Sequence, residues 1–503
     1  MSNIKNLREF IDVLDKNRLL VEVTGDRDIA VASITFDSRD VKKDSLFICK
    51  GAHFKEEYLK SAVDLGASAY VSEKPYDISG ATAIIVKNVR EAMPVLAKEF
   101  YGDLSDSISM IGITGTKGKS TIAYYVKYIL DDYMESQNGK SVAICSGIRN
   151  YDGVNDSESQ LTTPENLKLF EYMNNAINSG IEYMVMEVSS QALKYNRVDC
   201  VNYRVACFNN IGEDHISPNE HADFDDYFSS KLKIFKQTYN SCVCLDTEHA
   251  DEILAASKDA PTITYSVENE TANVYAYNIN SIDGHVSFDV RIKNIDDMRD
   301  FDEHIELATF GTINVINALA AISISIALKV PMEYVKSGLL KALVPGRMQI
   351  FRSKDGRKIG LVDYAHNKLS YEKLLSSIKN EFPGREIVIA FGSTGGKALN
   401  RRKELGSVAG KYCKHVILTE DDSANESVTK ICEEIASYLG NKCTYEIIED
   451  RPNAIKKLCK MADETNIVIA TGKAMEAFQK RDGFSVEIEP DLVIFEKEFN
   501  SNN

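Results

Sequence analysis

The residues whose types and spacing could most clearly do chemistry are Thr114-Gly115-Thr116-Lys117-Gly118-Lys119-Ser120-Thr121. An apolar run over 108–114 precedes them, and a helical pattern runs from Lys119 to about Asp132. A turn in that position aims backbone N–H groups and a helix N-terminus at one point, where an anion fits. Lys119 would then reach the β- and γ-phosphates of a nucleoside triphosphate, and Ser120 would offer its hydroxyl to Mg²⁺. The strict G-x-x-x-x-G-K-[ST] pattern is not met, because Ile113 stands five before Gly118 and Gly112 falls one step early. The plainer alternative is a Gly/Lys-rich surface turn without a ligand; the strand, the glycines and the Lys-Ser pair together favour phosphate. Such a loop alone leaves motor, switch, kinase and ligase open.

The elements around the loop form three blocks. Residues 1–106 mix short strands, at 30–36 and 45–49, with helices around Lys60 and Val89, and end in a polar stretch at 102–107. Residues 107–345 carry buried-strand patterns at 108–114, 141–145, 183–188, 204–209 and 241–245, separated by helices, which predicts a largely parallel sheet. An alternating segment at 265–308 reads as a small antiparallel insertion, and an Ala-rich helix at 314–328 precedes the linker Val344-Pro345-Gly346. Residues 346–503 repeat the rhythm with strands at 360–364, 386–391, 415–419, 444–448 and 466–470, a Rossmann-like α/β pattern whose strand ends carry polar turns. The fold class expected is therefore α/β in three domains.

Composition agrees. At roughly 100 to 200 residues per domain, 503 residues make about three domains. With 59 Lys+Arg against 75 Asp+Glu, the net charge of −16 argues against nucleic acid and against anionic membrane as partners, though not against small anions. The opening MSNIKNLREF lacks the apolar core of a signal peptide, and the most apolar helical stretch is broken by Asn317, Ser323 and Ser325. The 10 cysteines show neither zinc spacing nor a disulfide framework, which suits buried thiols in a reducing cytoplasm.

Further motifs narrow the reading. They are Thr162-Thr163-Pro164; Met186 through Leu193 with Glu187, Ser189 and Gln191; Asn210 through Asp214-His215; and Tyr227 through Phe235, containing Lys231. Asp37-Ser38-Arg39, Val344-Pro345-Gly346-Arg347-Met348, Asp363-Tyr364-Ala365-His366 and the stretch from Phe391 to Gly396 extend the set over nearly the whole chain. In kind and order these motifs resemble the Mur ligases, and within them the branch that adds the third residue of the peptidoglycan stem peptide. The forms of the phosphate loop, Ser-Ser-Gln-Ala and the 214–221 stretch are similar to those of the L-lysine-adding enzymes.

The resemblance implies an ADP-forming ligase with ATP and Mg²⁺ as cofactors. A substrate carboxylate is phosphorylated, and an amine attacks the acyl phosphate. Hard oxygen donors suit Mg²⁺. The family's metal ligands map to Ser120, Glu187, His215 and Lys231, with Lys231 carbamylated by CO₂; the bland alternatives are a Glu187 paired with a lysine, a structural histidine and a solvated lysine. Catalysis would fall to Lys119, Glu187, His215 and Lys231. ATP contacts would comprise Gly115, Thr116, Lys117, Gly118, Lys119, Ser120 and Thr121, with Asn314 and Asn317 at the adenine and Arg347 and Asp363 at the phosphates and ribose. Contacts from two domains imply closure, with Arg347 its sensor. Ser38, Thr162, Thr163, Ser189 and Arg197 match the UDP-substrate subsite, although the threonines could simply cap a helix ahead of Pro164.

Diaminopimelate-adding relatives carry Asp-Asn-Pro-Arg, whose arginine holds the distal carboxylate; here the stretch reads Asp421-Asp422-Ser423-Ala424. Asp421, Asp422 and Glu476 instead suit a side-chain ammonium, with Lys397, Arg401 or Arg402 for the α-carboxylate. The small-molecule partners expected are UDP-N-acetylmuramoyl-dipeptide and L-lysine, with ornithine one methylene away, and the chain is expected to act as a monomer. A phosphate-loop ATPase switch is the alternative from another class; it would need neither Lys231 nor the Thr-Thr-Pro motif.

Overall fold

The computed structural model describes residues 4–51, 54–214, 216, 220–282, 285–309, 311 and 313–501. It divides into two compact units. One comprises the chain through Tyr275 with Lys293–Arg299 and Leu319–Gly338; the other comprises Ala276–Ile292, Asp300–Ala318 and the chain from Leu339.

Among the described residues, the first unit contains a two-stranded pair, Lys5–Asn6 with Ala30–Val31, and two larger sheets. Near the start, five strands pair in the order Leu20–Thr24, Thr82–Val86, Ala67–Ser72, Ser45–Ile48, Ser33–Thr35. The expected strand at 30–36 is two pieces, because Ala30–Val31 pairs antiparallel with Lys5–Asn6 while Ser33–Thr35 pairs parallel with Ser45–Ile48. In the larger sheet, Ala143–Cys145, Tyr183–Glu187, Ser109–Thr114, Val205–Phe208, Ser241–Cys244 and Thr262–Ser266 lie side by side and parallel. The inner strands are largely apolar and buried, as a sheet covered by helices requires, whereas Thr262–Ser266 is more polar and only partly buried. Thr262–Ser266 belongs to this parallel set rather than to the antiparallel insertion, and a short antiparallel hairpin, Arg149–Tyr151 with Asp156–Glu158, adds an edge.

Ser109–Thr114 is central, and chain order diverges on its two sides. Its carboxyl end is therefore a topological switch point, where open α/β sheets bind ligands. Gly112, one step early for the phosphate-loop pattern, serves packing instead: a Cβ there would sit 2.8 Å from the Tyr203 ring.

In the second unit His285–Ile292 and Phe301–Leu307 pair antiparallel, as the alternation predicts. Its main sheet runs Gln349–Arg352, Ile359–Asp363, Asn466–Thr471, Glu386–Phe391, His415–Leu418, Thr444–Ile447, parallel except for the first strand. Asp363, Thr471, Phe391 and Leu418 end four of these strands on one edge, which gathers the polar turns that follow them. All ten cysteines are free. No helix among the described residues is long and apolar enough to cross a membrane.

Candidate active site

The phosphate loop joins Ser109–Thr114 to the helix Lys119–Ser136, whose N-cap is Gly118 at φ +86°. Gly115, at φ +148°, leaves no room for a side chain: a Cβ would meet the Asn210 backbone at 3.2 Å. Asn210 holds the loop like a clasp. Its Oδ1 accepts the Lys117 N–H at 2.8 Å, its Nδ2 donates to the Lys117 carbonyl at 3.0 Å, and its own carbonyl accepts the Thr116 N–H at 2.9 Å. Asn209 adds a bond to the same Lys117 carbonyl at 3.1 Å and takes one from the buried Tyr265 hydroxyl at 2.9 Å. Lys117 pairs with Asp214 at 3.0 Å, and the Thr116 and Tyr227 hydroxyls lie 2.9 Å apart. Asn210 and Tyr227 were legible only as letters of motifs, since their partners lie 93 and 111 residues away. Asn210→Ala removes both side-chain bonds to the Lys117 peptide and should raise KM for ATP roughly tenfold or more with little change in the other substrates' KM; steady-state kinetics with each substrate varied in turn would measure this.

Lys231 reaches the loop from the helix Phe224–Leu232. It is 1% exposed, and its Nζ donates to the Gly115 carbonyl at 2.9 Å. Lys119 Nζ donates to that same oxygen at 2.9 Å. Burial first, and the Lys119 charge second, hold Lys231 far below the usual lysine range. It is therefore not a solvated helix lysine.

Glu187 ends the neighbouring strand in register with Ile113, beside the loop. It is 2% exposed. Oε1 accepts the Gly147 N–H at 2.8 Å, while Oε2 has no hydrogen bond and the carboxylate no ion pair among the described residues. A buried charge in that condition is what a cation offsets. Ser120, half-buried at the start of the helix Lys119–Ser136, adds a hydroxyl, and hydroxyl and carboxylate are the hard oxygen donors that Mg²⁺ takes. His215 lies outside the described residues.

Around Glu187 the Thr-Thr-Pro motif folds back. Thr163 is buried and donates to the Glu187 carbonyl at 2.8 Å, while its oxygen accepts the Ser189 N–H at 2.9 Å. The helix Asn166–Asn178 takes Glu165 as its N-cap without a side-chain bond, so the threonines do not cap it. Thr162 is half-buried, with its hydroxyl 3.6 Å from where a Gly147 Cβ would stand. Arg197 Nε reaches Glu165 at 3.1 Å, and Lys50 shares that carboxylate. Ser38 is half-buried on the loop after Ser33–Thr35.

In the second unit, Asn314 and Asn317 are buried near the start of the helix Ile313–Ala327, bonded to each other at 3.2 Å. Asp363 accepts the Met348 N–H at 2.8 Å and the Ala365 N–H at 2.7 Å; burial pushes its carboxyl up, against the pull of Arg347. The Arg347 guanidinium lies 4.3 Å over the Tyr364 ring, and the Tyr364 hydroxyl donates to Glu476 at 2.5 Å. The three acids do gather, but around an ammonium of the chain itself: Lys473 Nζ sits 2.7 Å from both Asp422 and Glu476 and 4.0 Å from Asp421. Arg402 drops out as an α-carboxylate holder, because it is buried and already committed to Glu426 at 2.8 Å and Glu434 at 2.7 Å. Lys397 is exposed and its charge acts on Asp422, and Arg401 is half-buried without an ion pair among the described residues.

A phosphate loop at a switch point, flanked by a buried bare carboxylate and a buried lysine, together with a second sheet whose strand ends gather charge, defines a nucleotide-dependent α/β enzyme. The family models for the Mur ligase middle domain and for the Mur ligase glutamate ligase domain match residues 113–325 and 346–474. The chain is 35% identical over 505 residues to the UDP-N-acetylmuramoyl-L-alanyl-D-glutamate–L-lysine ligase of Enterococcus faecalis, covering 99% of this chain and 97% of that one. The enzyme of the same name from Streptococcus mutans is 35% identical over 493 residues, 97% of each chain. Among solved structures, a UDP-N-acetylmuramoyl-L-alanyl-D-glutamate–2,6-diaminopimelate ligase shares the fold with a TM-score of 0.66 at 21% identity over 99% of both chains. The MurF ligase of Thermotoga maritima in complex with ADP does so at 0.62 and 18% identity, over 94% of this chain and 98% of that one. The chain belongs to the Mur ligase family, ATP-dependent ligases that form amide bonds.

Proposed function

We propose that this enzyme adds L-lysine to the D-glutamate of UDP-N-acetylmuramoyl-L-alanyl-D-glutamate in the cytoplasm, as a step of peptidoglycan precursor synthesis. The observation that carries the activation chemistry is the Gly115 carbonyl shared by Lys119 and Lys231 beside the bare carboxylate of Glu187. The choice of lysine is supported by the named relatives and by an acidic turn, Asp421 to Ala424, that lacks an arginine for a distal carboxylate.

In this reading the substrate carboxylate takes the γ-phosphoryl group of ATP, and the lysine α-amine attacks the resulting acyl phosphate, giving an amide, ADP and phosphate. Phosphoryl transfer asks the protein mainly for positioning and positive charge. Lys119 and the N–H groups at the helix start, from Gly118 to Ser120, would serve the phosphates, while Asn210, by taking the Thr116 and Lys117 N–H groups, and Asn209 hold the loop in the shape that aims them. Mg²⁺, when bound, adds charge at the transferring group; Ser120 and Glu187, with His215 and carbamylated Lys231, would hold it. Thr162, Thr163, Ser189, Arg197 and Ser38 would take the UDP-linked substrate, Asn314, Asn317, Arg347 and Asp363 the rest of ATP, and Lys397 and Arg401 the α-carboxylate of the amino acid.

Mass spectrometry of the product formed from the UDP-linked dipeptide, ATP, Mg²⁺ and a panel of lysine, ornithine and diaminopimelate tests the reading. A lysine adduct that depends on all components is expected. Selective use of diaminopimelate would refute the reading of Asp421 to Ala424, and ATP hydrolysis that needs neither substrate would point to a switch.

A further inference from the structure

Lys473 contacts the acidic cluster directly, and the charges of Lys397 and Arg451 also act on Asp422 and Asp421. Lys473 follows Gly472 on the turn after Asn466–Thr471, and Gly472, at φ +105°, lets the turn pass close: a Cβ there would lie 3.1 Å from Asp421 Oδ2. The ammonium is 2% exposed, whereas the side chains of Asp421, Asp422 and Glu476 are 11%, 17% and 37% exposed. The lysine therefore sits behind the carboxylates, and the carboxylates face outward.

We propose that Lys473 is a positioning residue for the incoming amino acid: it holds Asp422 and Glu476 as oriented acceptors for a substrate ammonium. The inference rests on the assignment, made above, of this cluster to the amino-acid subsite. Three carboxylates gathered around one point repel one another and, left alone, would splay apart. An internal ammonium offsets that repulsion and draws Asp422 and Glu476 to a fixed place. Burial pulls Lys473 down, but Asp421, Glu476 and Asp422 outweigh it and keep the amine charged.

The orientation is equally determined. Glu476 is held at both oxygens, by Lys473 at 2.7 Å and by the Tyr364 hydroxyl at 2.5 Å. Asp422 Oδ1 accepts Lys473 at 2.7 Å and the Lys480 N–H at 3.0 Å, and Oδ2 has no donor among the described residues. A second ammonium can thus bind the outer side of carboxylates whose inner side is already neutralised. A side chain ending in a carboxylate would meet the outward faces of Asp422 and Glu476 instead of a hydrogen-bond donor, and is disfavoured.

The test uses the full-length enzyme with all substrates. Lys473→Ala should raise KM for lysine about tenfold or more, the scale of losing a charged hydrogen-bond partner, while KM for ATP stays within about twofold. Millimolar ethylammonium or propylammonium should restore part of kcat/KM for lysine, and tetramethylammonium, which has no N–H to donate, should not. Lys473→Met, which fills the space without the charge, should be equally impaired and show no rescue. A wild-type lysine KM in Lys473→Ala, a loss without amine rescue, or full function in Lys473→Met would overturn the proposal. Asp421→Asn and Glu476→Gln separate it from its premise. If neither alters KM for lysine, the subsite assignment fails; if both raise it while Lys473→Ala does not, the role of Lys473 fails alone.

Discussion

Lys231→Ala should lower kcat by about 10²–10³-fold, the scale seen when one preorganised charge-stabilising group is lost from an active site. Formate, acetate or bicarbonate should return part of that activity. The argument begins with two amines on one carbonyl: Lys231 and Lys119 both donate to Gly115 O at 2.9 Å, and Lys231 is 1% exposed. As two ammonium ions they repel, and burial adds to the cost of charging Lys231. An uncharged amine carries the lone pair that adds to CO₂. The N–C bond forms, one N–H proton leaves to water, and the side chain becomes a carbamate anion. The side chain beside Lys119 thereby changes from a neutral amine to an anion that attracts it, and an oxygen donor suited to Mg²⁺ would stand beside the phosphate loop. Lys231→Arg keeps a cation and cannot form a carbamate, so it should be as inactive as Lys231→Ala and gain nothing from added carboxylates. Undiminished turnover in Lys231→Ala, or the lack of a carbamate signal after labelling the wild-type enzyme with isotopic bicarbonate, would remove the assignment.

What the sequence makes legible, and what it hides, divides along one physical line. Features fixed by neighbours in the chain are readable: the strand–turn–helix around Gly115 and Lys119, the apolar parallel strands, and the alternation that becomes the pair His285–Ile292 and Phe301–Leu307. Partners fixed by the fold are not. The Lys473 ammonium reaches Asp422 across 51 residues of sequence, so the acids at 421, 422 and 476 read as open when they already share a cation. Arg402 looks as available as Arg401 until Glu426 and Glu434 are folded against it. The hairpin Arg149–Tyr151 and Asp156–Glu158 escapes because its short strands are largely polar and sit at the sheet edge, where no apolar run betrays them.

Glu187→Gln should leave the fold as stable as before, or more so, while lowering kcat by about 10²–10³-fold. Stability and activity pull in opposite directions at this residue. The residue is 2% exposed, and among the described residues its carboxylate has one hydrogen bond, from the Gly147 N–H at 2.8 Å. Carrying a charge there without a counter-ion is costly, and glutamine keeps the Gly147 acceptor while removing the charge. A residue retained for packing would behave the other way, since replacing a paired buried acid strands its partner and lowers the melting temperature. The two cases separate in a pair of measurements on the same preparation. Calorimetry without ligands should give a melting temperature at or above wild type, and ADP release at saturating substrates should be depressed at every Mg²⁺ concentration, least at the highest. A variant with wild-type turnover, or one that loses activity together with a large drop in melting temperature, would mean that Glu187 is structural and that the cation beside the phosphate loop is held by other residues.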